Sequence, residues 1–343
     1  MNKLKFLLLL ACLSAIMGMR QLQDSLFKKP AHFPEPNYAF KGKQVDSLQV
    51  LLGRALFYDE ALSIDFSTSC ASCHSPFSAF THNDHEVSHG IQDRFGKRNS
   101  PPLFNLAWQP YYMWDGAINN LDVQALAPIN HPDEMGESTE HVLKKIKHSW
   151  RYRALFKKVY GDTLINTERM LKSISSFLVT LVSAESKYDR VMLKKDSFNL
   201  QEQNGYTLFK NNCNTCHTEP LFTSFNFENN GIGMLEKYRD PGRAAISGNP
   251  QDSLRFKVPS LRNLEFTYPY MHDGRMQKLY QVLDHYSGIT LQKADGTKVS
   301  VQKFSPEEKV DLMAFLLALG DRTFLYATKN QFPKEFFFSQ PME

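Results

Sequence analysis

Cys70-Ala71-Ser72-Cys73-His74 and, about 140 residues further on, Cys213-Asn214-Thr215-Cys216-His217 are two complete C-x-x-C-H units. In this spacing two thiols can add across the vinyl groups of one porphyrin while the next imidazole reaches its iron, so each unit reads as an attachment site for c-type haem. The chain is therefore expected to carry two covalently bound haem c groups, with His74 and His217 as proximal iron ligands. A zinc site or a dithiol redox pair is the competing reading. It fits poorly, because both copies carry the immediate histidine and no further cysteine could complete a four-thiolate site.

Five cysteines are present and the two motifs use four. The fifth, Cys12, follows an apolar run preceded by Lys3 and Lys5, the layout of an export signal. Leu9-Leu10-Ala11-Cys12 is also similar to a lipobox, which would anchor the chain to lipid through Cys12; ordinary cleavage between Ala15 and Gly18 is the alternative. The apolar stretch is too short to read as a membrane span. Residues 1–18 are thus assigned to a signal, and 19–43, with Pro30, Pro34 and Pro36, to a tether. A periplasmic location is expected. The net charge of +4 offers no basic field for nucleic acid.

The chain repeats itself. Pro101-Pro102-Leu103-Phe104-Asn105-Leu106 recurs as Pro259-Ser260-Leu261-Arg262-Asn263-Leu264, and each copy leads at the same interval to Asp-Gly, at Asp115-Gly116 and Asp273-Gly274. Gly53 and Phe57 before the first haem motif parallel Gly205 and Phe209 before the second, at a spacing that shares one helix face. Two related haem domains follow, expected at 44–195 and 196–322, with a tail at 323–343. Helical patterns predominate. Met170, Leu171, Ile174, Phe177, Leu178 and Leu181 have amphipathic spacing behind a cap at Asn166 or Thr167. Ser305-Pro306-Glu307-Glu308 is a capping box with proline in the first turn, and a further helix runs from Asn199 into the second haem motif. No stretch sustains period-two alternation, so the expected fold is all-α, two tandem cytochrome c-like domains.

From about Leu51 to Gly320 the order of motifs resembles the bacterial diheme cytochrome c peroxidase and MauG family. The resemblance rests on Leu52-Gly53-Arg54-Ala55-Leu56-Phe57, both haem motifs, Arg98-Asn99-Ser100-Pro101, Trp114-Asp115-Gly116, Gln124, Glu134-Met135-Gly136, and Phe256-Lys257-Val258-Pro259 through Thr267-Tyr268-Pro269-Tyr270-Met271-His272-Asp273-Gly274. It implies that Glu134 is the acid/base of peroxide cleavage, that Gln124 orients the peroxide, and that Trp114 relays electrons between the haems. A carboxylate in a poorly solvated pocket suits the first role, since it can take a proton from one oxygen and return it to the other. The resemblance further implies a calcium ion at Asn99, Thr267 and Pro269. His89 lies where some members cap the first iron with histidine, and is left unassigned.

Thirteen residues beyond each Asp-Gly aspartate, the repeat sets Pro128 opposite Tyr286. Proline cannot ligate iron and a phenolate can, so if this position faces each haem the first is open and the second closed by tyrosine. Met271, Met276 and His285 are rival ligands. MauG-type members carry tyrosine at this position, and the peroxidases of the family methionine. The expected activity is reduction of hydrogen peroxide to water with electrons from a small donor such as a cytochrome c or cupredoxin. A MauG-like oxidation of residues on a partner protein is the alternative, and a non-catalytic electron carrier the second. Homodimerisation is left open.

Overall fold

The computed structural model describes residues 26–40, 44–338 and 340. The expected signal, Cys12 and part of the tether lie outside the described residues. The main helices are α1 (Ser47–Tyr58), α2 (Thr139–His148), α3 (Trp150–Tyr160), α4 (Thr167–Val179), α5 (Leu200–Asn212), α6 (Leu279–Tyr286) and α7 (Pro306–Leu317). Their starts follow local chemistry. Asn166 caps α4 by accepting from the Arg169 amide at 2.9 Å. Asn199 with Glu202 opens α5, and Ser305 with Glu308 opens α7, each as a reciprocal capping box. Among the described residues no helix is long and apolar enough to cross a membrane.

The internal repeat becomes two matching helix crossings, α1 on α4 and α5 on α7. Each crossing is made at a glycine: a Cβ on Gly53 would overlap the Ser173 carbonyl, and one on Gly205 the Asp311 carbonyl. The phenylalanine one turn later anchors a triad of rings in each half. Phe57 lies 5.8 Å from Phe80 and 5.4 Å from Phe177; Phe209 lies 5.3 Å from Phe222 and 5.2 Å from Phe315. These triads sit in two separate hydrophobic cores. Gly53→Ala should therefore lower stability by roughly 1–3 kcal/mol, because the helices must part to admit one methyl group. Denaturant unfolding of the haem-loaded protein measures this, and an unchanged midpoint would show that the crossing is not tight.

The repeated asparagines tie the halves together. Asn105 and Asn263 both adopt left-handed backbone conformations, with φ of 55° and 61°, and both reach Ser183. Asn105 exchanges two bonds of 2.9 Å with the Ser183 backbone, while the Asn263 amide donates to its hydroxyl at 3.0 Å.

The fold is mostly helical, with two small antiparallel sheets that qualify the all-α expectation. β1 (Phe227–Glu228) pairs with β2 (Phe256–Lys257), and β3 (Thr290–Gln292) with β4 (Lys298–Ser300). Strands of two or three residues are too short to imprint a period on the sequence. Within the expected tether, Phe33 is buried in the first core and Tyr38 donates to Asp122 at 2.7 Å. Within the expected tail, Phe324, Leu325 and Phe336 are buried in that same core, and Tyr58 donates to the Asn330 carbonyl at 2.7 Å. Both flanking segments are thus laid down on the first core.

Candidate active site and haem cavities

Cys70 and Cys73 bound a single helical turn that leads into His74, and Cys213 closes α5; Cys73 and His74 line one cavity, and Cys213, Cys216 and His217 line another. None of the four cysteines is in a disulfide, which leaves each available for a thioether bond. The His74 Nδ1 lies 2.8 Å from the Phe80 carbonyl. A carbonyl can only accept, so Nδ1 carries the proton and Nε2 is left with a lone pair for a metal. The chain delivers this carbonyl through two consecutive left-handed residues, Ala79 and Phe80. His217 is held the same way, its Nδ1 donating to the Pro259 carbonyl at 3.0 Å and the Phe222 carbonyl at 3.3 Å. Burial pulls both imidazoles down to about 4, which keeps them neutral, the ligating form. Paired thiols, an oriented neutral imidazole and an adjoining cavity fit a thioether-bound haem in each half.

The first cavity measures about 620 Å³ and is lined by Cys73, His74, Trp114, Gln124, Pro128 and Glu134, among others. Gln124 ends a short turn, Leu121–Gln124, and its amide points at the Met113 sulfur 3.7 Å away. Glu134 sits in a loop pinned by its own backbone, its N–H donating to the His131 carbonyl at 3.1 Å and its carbonyl accepting from Ile91 at 2.8 Å. Gly90 permits that approach, since a Cβ there would overlap the Glu134 carbonyl. The Glu134 side chain lines the cavity and is partly exposed, at 41%. Burial pushes its pKa up, Asp133 adds to this, and His131, 4.0 Å away, partly offsets it. The group is thereby brought nearer to a pKa useful for proton transfer at neutral pH.

His89 also lines this cavity, with Nδ1 3.2 Å from Asp93. His82 and His85 lie beside it, their rings 6.1 and 5.4 Å away.

The second cavity is smaller, about 210 Å³, and is lined by Cys213, Cys216, His217, Met271 and Tyr286. Tyr286 ends α6. Burial pushes its phenol up to about 12, with a bond from the Asn230 side chain opposing. Of the rivals, His285 uses Nε2 on the Asn230 carbonyl at 2.8 Å, and the Met271 sulfur accepts from the Asn230 amide at 3.4 Å. Pro128 and Tyr286 thus line different cavities, and the larger cavity is the one with proline.

Trp114 lines both cavities and donates from Nε1 to the Asn99 carbonyl at 2.8 Å. Asn99, Thr267 and Pro269 gather at the second cavity. The Asn99 amide nitrogen faces the Pro269 carbonyl, and its buried Oδ1 has no hydrogen-bond partner. With the amide turned over, two hard oxygens would lie side by side, a donor pair that fits calcium. Among the described residues no cluster of three histidine, cysteine or acidic side chains could hold a metal, so such a cation would rest on neutral oxygens.

Several groups escaped the sequence reading. Arg98 donates to Asp115 at 2.6 Å and grips Asp240 through two bonds, bringing a loop of the second half to the wall of the first cavity. The repeat does align Met113 with Met271, both at positive φ, a signal that could have drawn attention to the sulfur beside Gln124. Lys257 stood in the run Phe256-Lys257-Val258-Pro259 without a role of its own.

A profile of the family described as di-haem cytochrome c peroxidase matches residues 47–197. The methylamine utilization protein MauG of Methylorubrum extorquens is 35% identical over 301 residues, covering 85% of this chain and 83% of that protein. The cytochrome c551 peroxidase of Nitrosomonas europaea is 34% identical over 302 residues, covering 85% and 86%. A crystal structure of a MauG-like protein associated with microbial copper homeostasis superposes with a TM-score of 0.78 at 27% identity, covering 90% of this chain and 99% of that one. With two haem-binding motifs set against two cavities and relatives of this similarity along most of its length, the chain belongs to the di-haem cytochrome c peroxidase and MauG family, oxidoreductases with two covalently bound haem c groups.

Proposed function

We propose that the protein is a periplasmic peroxidase that reduces hydrogen peroxide to two waters, taking two protons and two electrons, the latter from a small redox protein. The observation that carries this reading is the inequality of the two cavities: Gln124, Pro128 and Glu134 surround the larger, whereas Tyr286 occupies the wall of the smaller. When bound, the haems supply irons that exchange electrons, and the first supplies a site where peroxide can coordinate. Gln124 holds the peroxide by hydrogen bonding. Glu134 takes the proton of one peroxide oxygen and returns it to the departing one, so that the O–O bond breaks without releasing hydroxide. Trp114 bridges the two sites. Cys70, Cys73 and His74 hold the first haem in a domain of residues 44–195; Cys213, Cys216 and His217 hold the second in 196–322. Asn99, Thr267 and Pro269 hold calcium between them.

Tyr286 favours a second reading, in which the same oxidising site acts on residues of a partner protein, as relatives named MauG also match. A plain electron carrier has no use for Glu134 beside an open site. Electron spin resonance of the oxidised protein is expected to report one high-spin and one low-spin haem; two low-spin centres inert to peroxide would establish the carrier. Tyr286→Met should raise the potential of the second haem, because a thioether favours ferrous iron more than phenolate does. No shift would remove tyrosine from its coordination. Peroxide reacting only after prior reduction would favour the peroxidase over the partner-oxidising enzyme.

A further inference from the structure

We propose that Lys257 sets the reduction potentials of both haems at once, as a cation held in the wall that the two cavities share. This rests on the reading that those cavities hold the haems. Lys257 closes β2 and lines both cavities, as Trp114 does. Its backbone N–H donates to the Trp114 carbonyl at 2.7 Å, which fixes the strand against the bridge. Its Nζ donates to the Gln109 side-chain oxygen and, at 2.8 Å, to the Tyr111 carbonyl. Both acceptors are neutral, so they aim the ammonium without cancelling its charge.

The charged groups around it leave that charge poorly compensated. Asp115 is the carboxylate that opposes it, but Asp115 is already bonded to Arg98 at 2.6 Å, and Arg243 donates to the Asp115 carbonyl at 2.9 Å. Asp240 is likewise occupied by Arg98. Burial accordingly pulls the Lys257 ammonium down to about 7 despite Asp115. Ferric haem carries one more positive charge than ferrous. A cation in a low-dielectric wall beside both therefore favours the reduced form of each, by an effect that falls with distance. The sequence alone did not reveal this, because Gln109 and Tyr111 lie 148 and 146 residues from Lys257 along the chain.

The test is a spectroelectrochemical titration of the full two-haem protein at about pH 6, where the ammonium is charged. Lys257→Met removes the charge and keeps most of the stem; Lys257→Gln serves if the methionine variant does not fold. Both haem potentials are expected to fall, each by about tenfold in its one-electron equilibrium, or about 59 mV. Lys257→Arg should hold them at the wild-type values. Potentials unchanged at either haem, or not retained by arginine, would overturn the proposal. Peroxide turnover does not enter the measurement, so a failure here is distinct from a failure of the peroxidase reading, which the spin states and peroxide reactivity decide.

Discussion

Glu134→Gln is expected to lower kcat/KM for hydrogen peroxide by roughly 10²–10⁴-fold, the range lost when a positioned acid/base is removed, with both haems still attached. Glutamine matches the carboxylate in shape and can hydrogen-bond, so the packing of the loop from His131 to Gly136 is retained and only proton transfer is lost. The pH profile carries a second signature. Burial holds the Glu134 carboxyl above its ordinary range, so the base form, and with it the rate, should rise through a limb displaced upward from that of a free carboxylate. Glu134→Gln should erase this limb. Steady-state kinetics across the acidic and neutral range read both effects, and a variant that keeps the rate and the limb would assign the proton transfer elsewhere.

Asp189→Asn should destabilise the protein by roughly 3–5 kcal/mol, the cost of leaving a buried cation without its partner. Arg262 and Asp189 are both fully buried, joined by two bonds of 2.8 and 2.7 Å. His32, from the segment before α1, adds a third contact to the same carboxylate at 2.7 Å. The Arg262 guanidinium also lies over the Phe33 ring at 4.9 Å and the Phe222 ring at 5.5 Å, joining the two cores. Burial pushes the Asp189 carboxyl up, but the bonds from Arg262, His32 and Ser186 outweigh it and hold the group well below the usual carboxylate range. A folded-state pKa below the unfolded one means that the unfolded chain takes up the proton first. The contribution is therefore complete above about pH 4, near the unfolded value, and is lost as the pH falls through the folded one. Denaturant unfolding should show a large gap between wild type and variant at neutral pH that narrows in acid. A gap independent of pH would place the effect in packing rather than in charge.

Local chemistry was legible before any fold. The two haem motifs, a cap at Asn166 or Thr167, the capping box at Ser305, and the glycine-phenylalanine pairs of α1 and α5 each lie within a few residues of one another, where spacing alone carries the physical requirement. The repeat added a longer-range statement, that Pro128 and Tyr286 occupy equivalent places in two related halves. The resemblance supplied roles for Gln124, Glu134 and Trp114.

Other features were absent from the chain as a string, because they depend on groups far apart in sequence. Gln109, Tyr111, Trp114 and Lys257 meet only where a loop of the first half crosses a strand of the second. Arg98 and Asp240 find each other across 142 residues, and Asp189 becomes a buried carboxylate only once Arg262 and His32 close over it. The short sheets likewise came from tertiary contact, since two or three residues hold no pattern. What the residues determined by themselves was the chemistry available at two haem attachment motifs; the proton-transfer role of Glu134 came from the resemblance. Which residues line each cavity, and which charges lie in the wall they share, depended on folding, because solvation and electrostatic interaction are set by distance in space and not by separation along the chain.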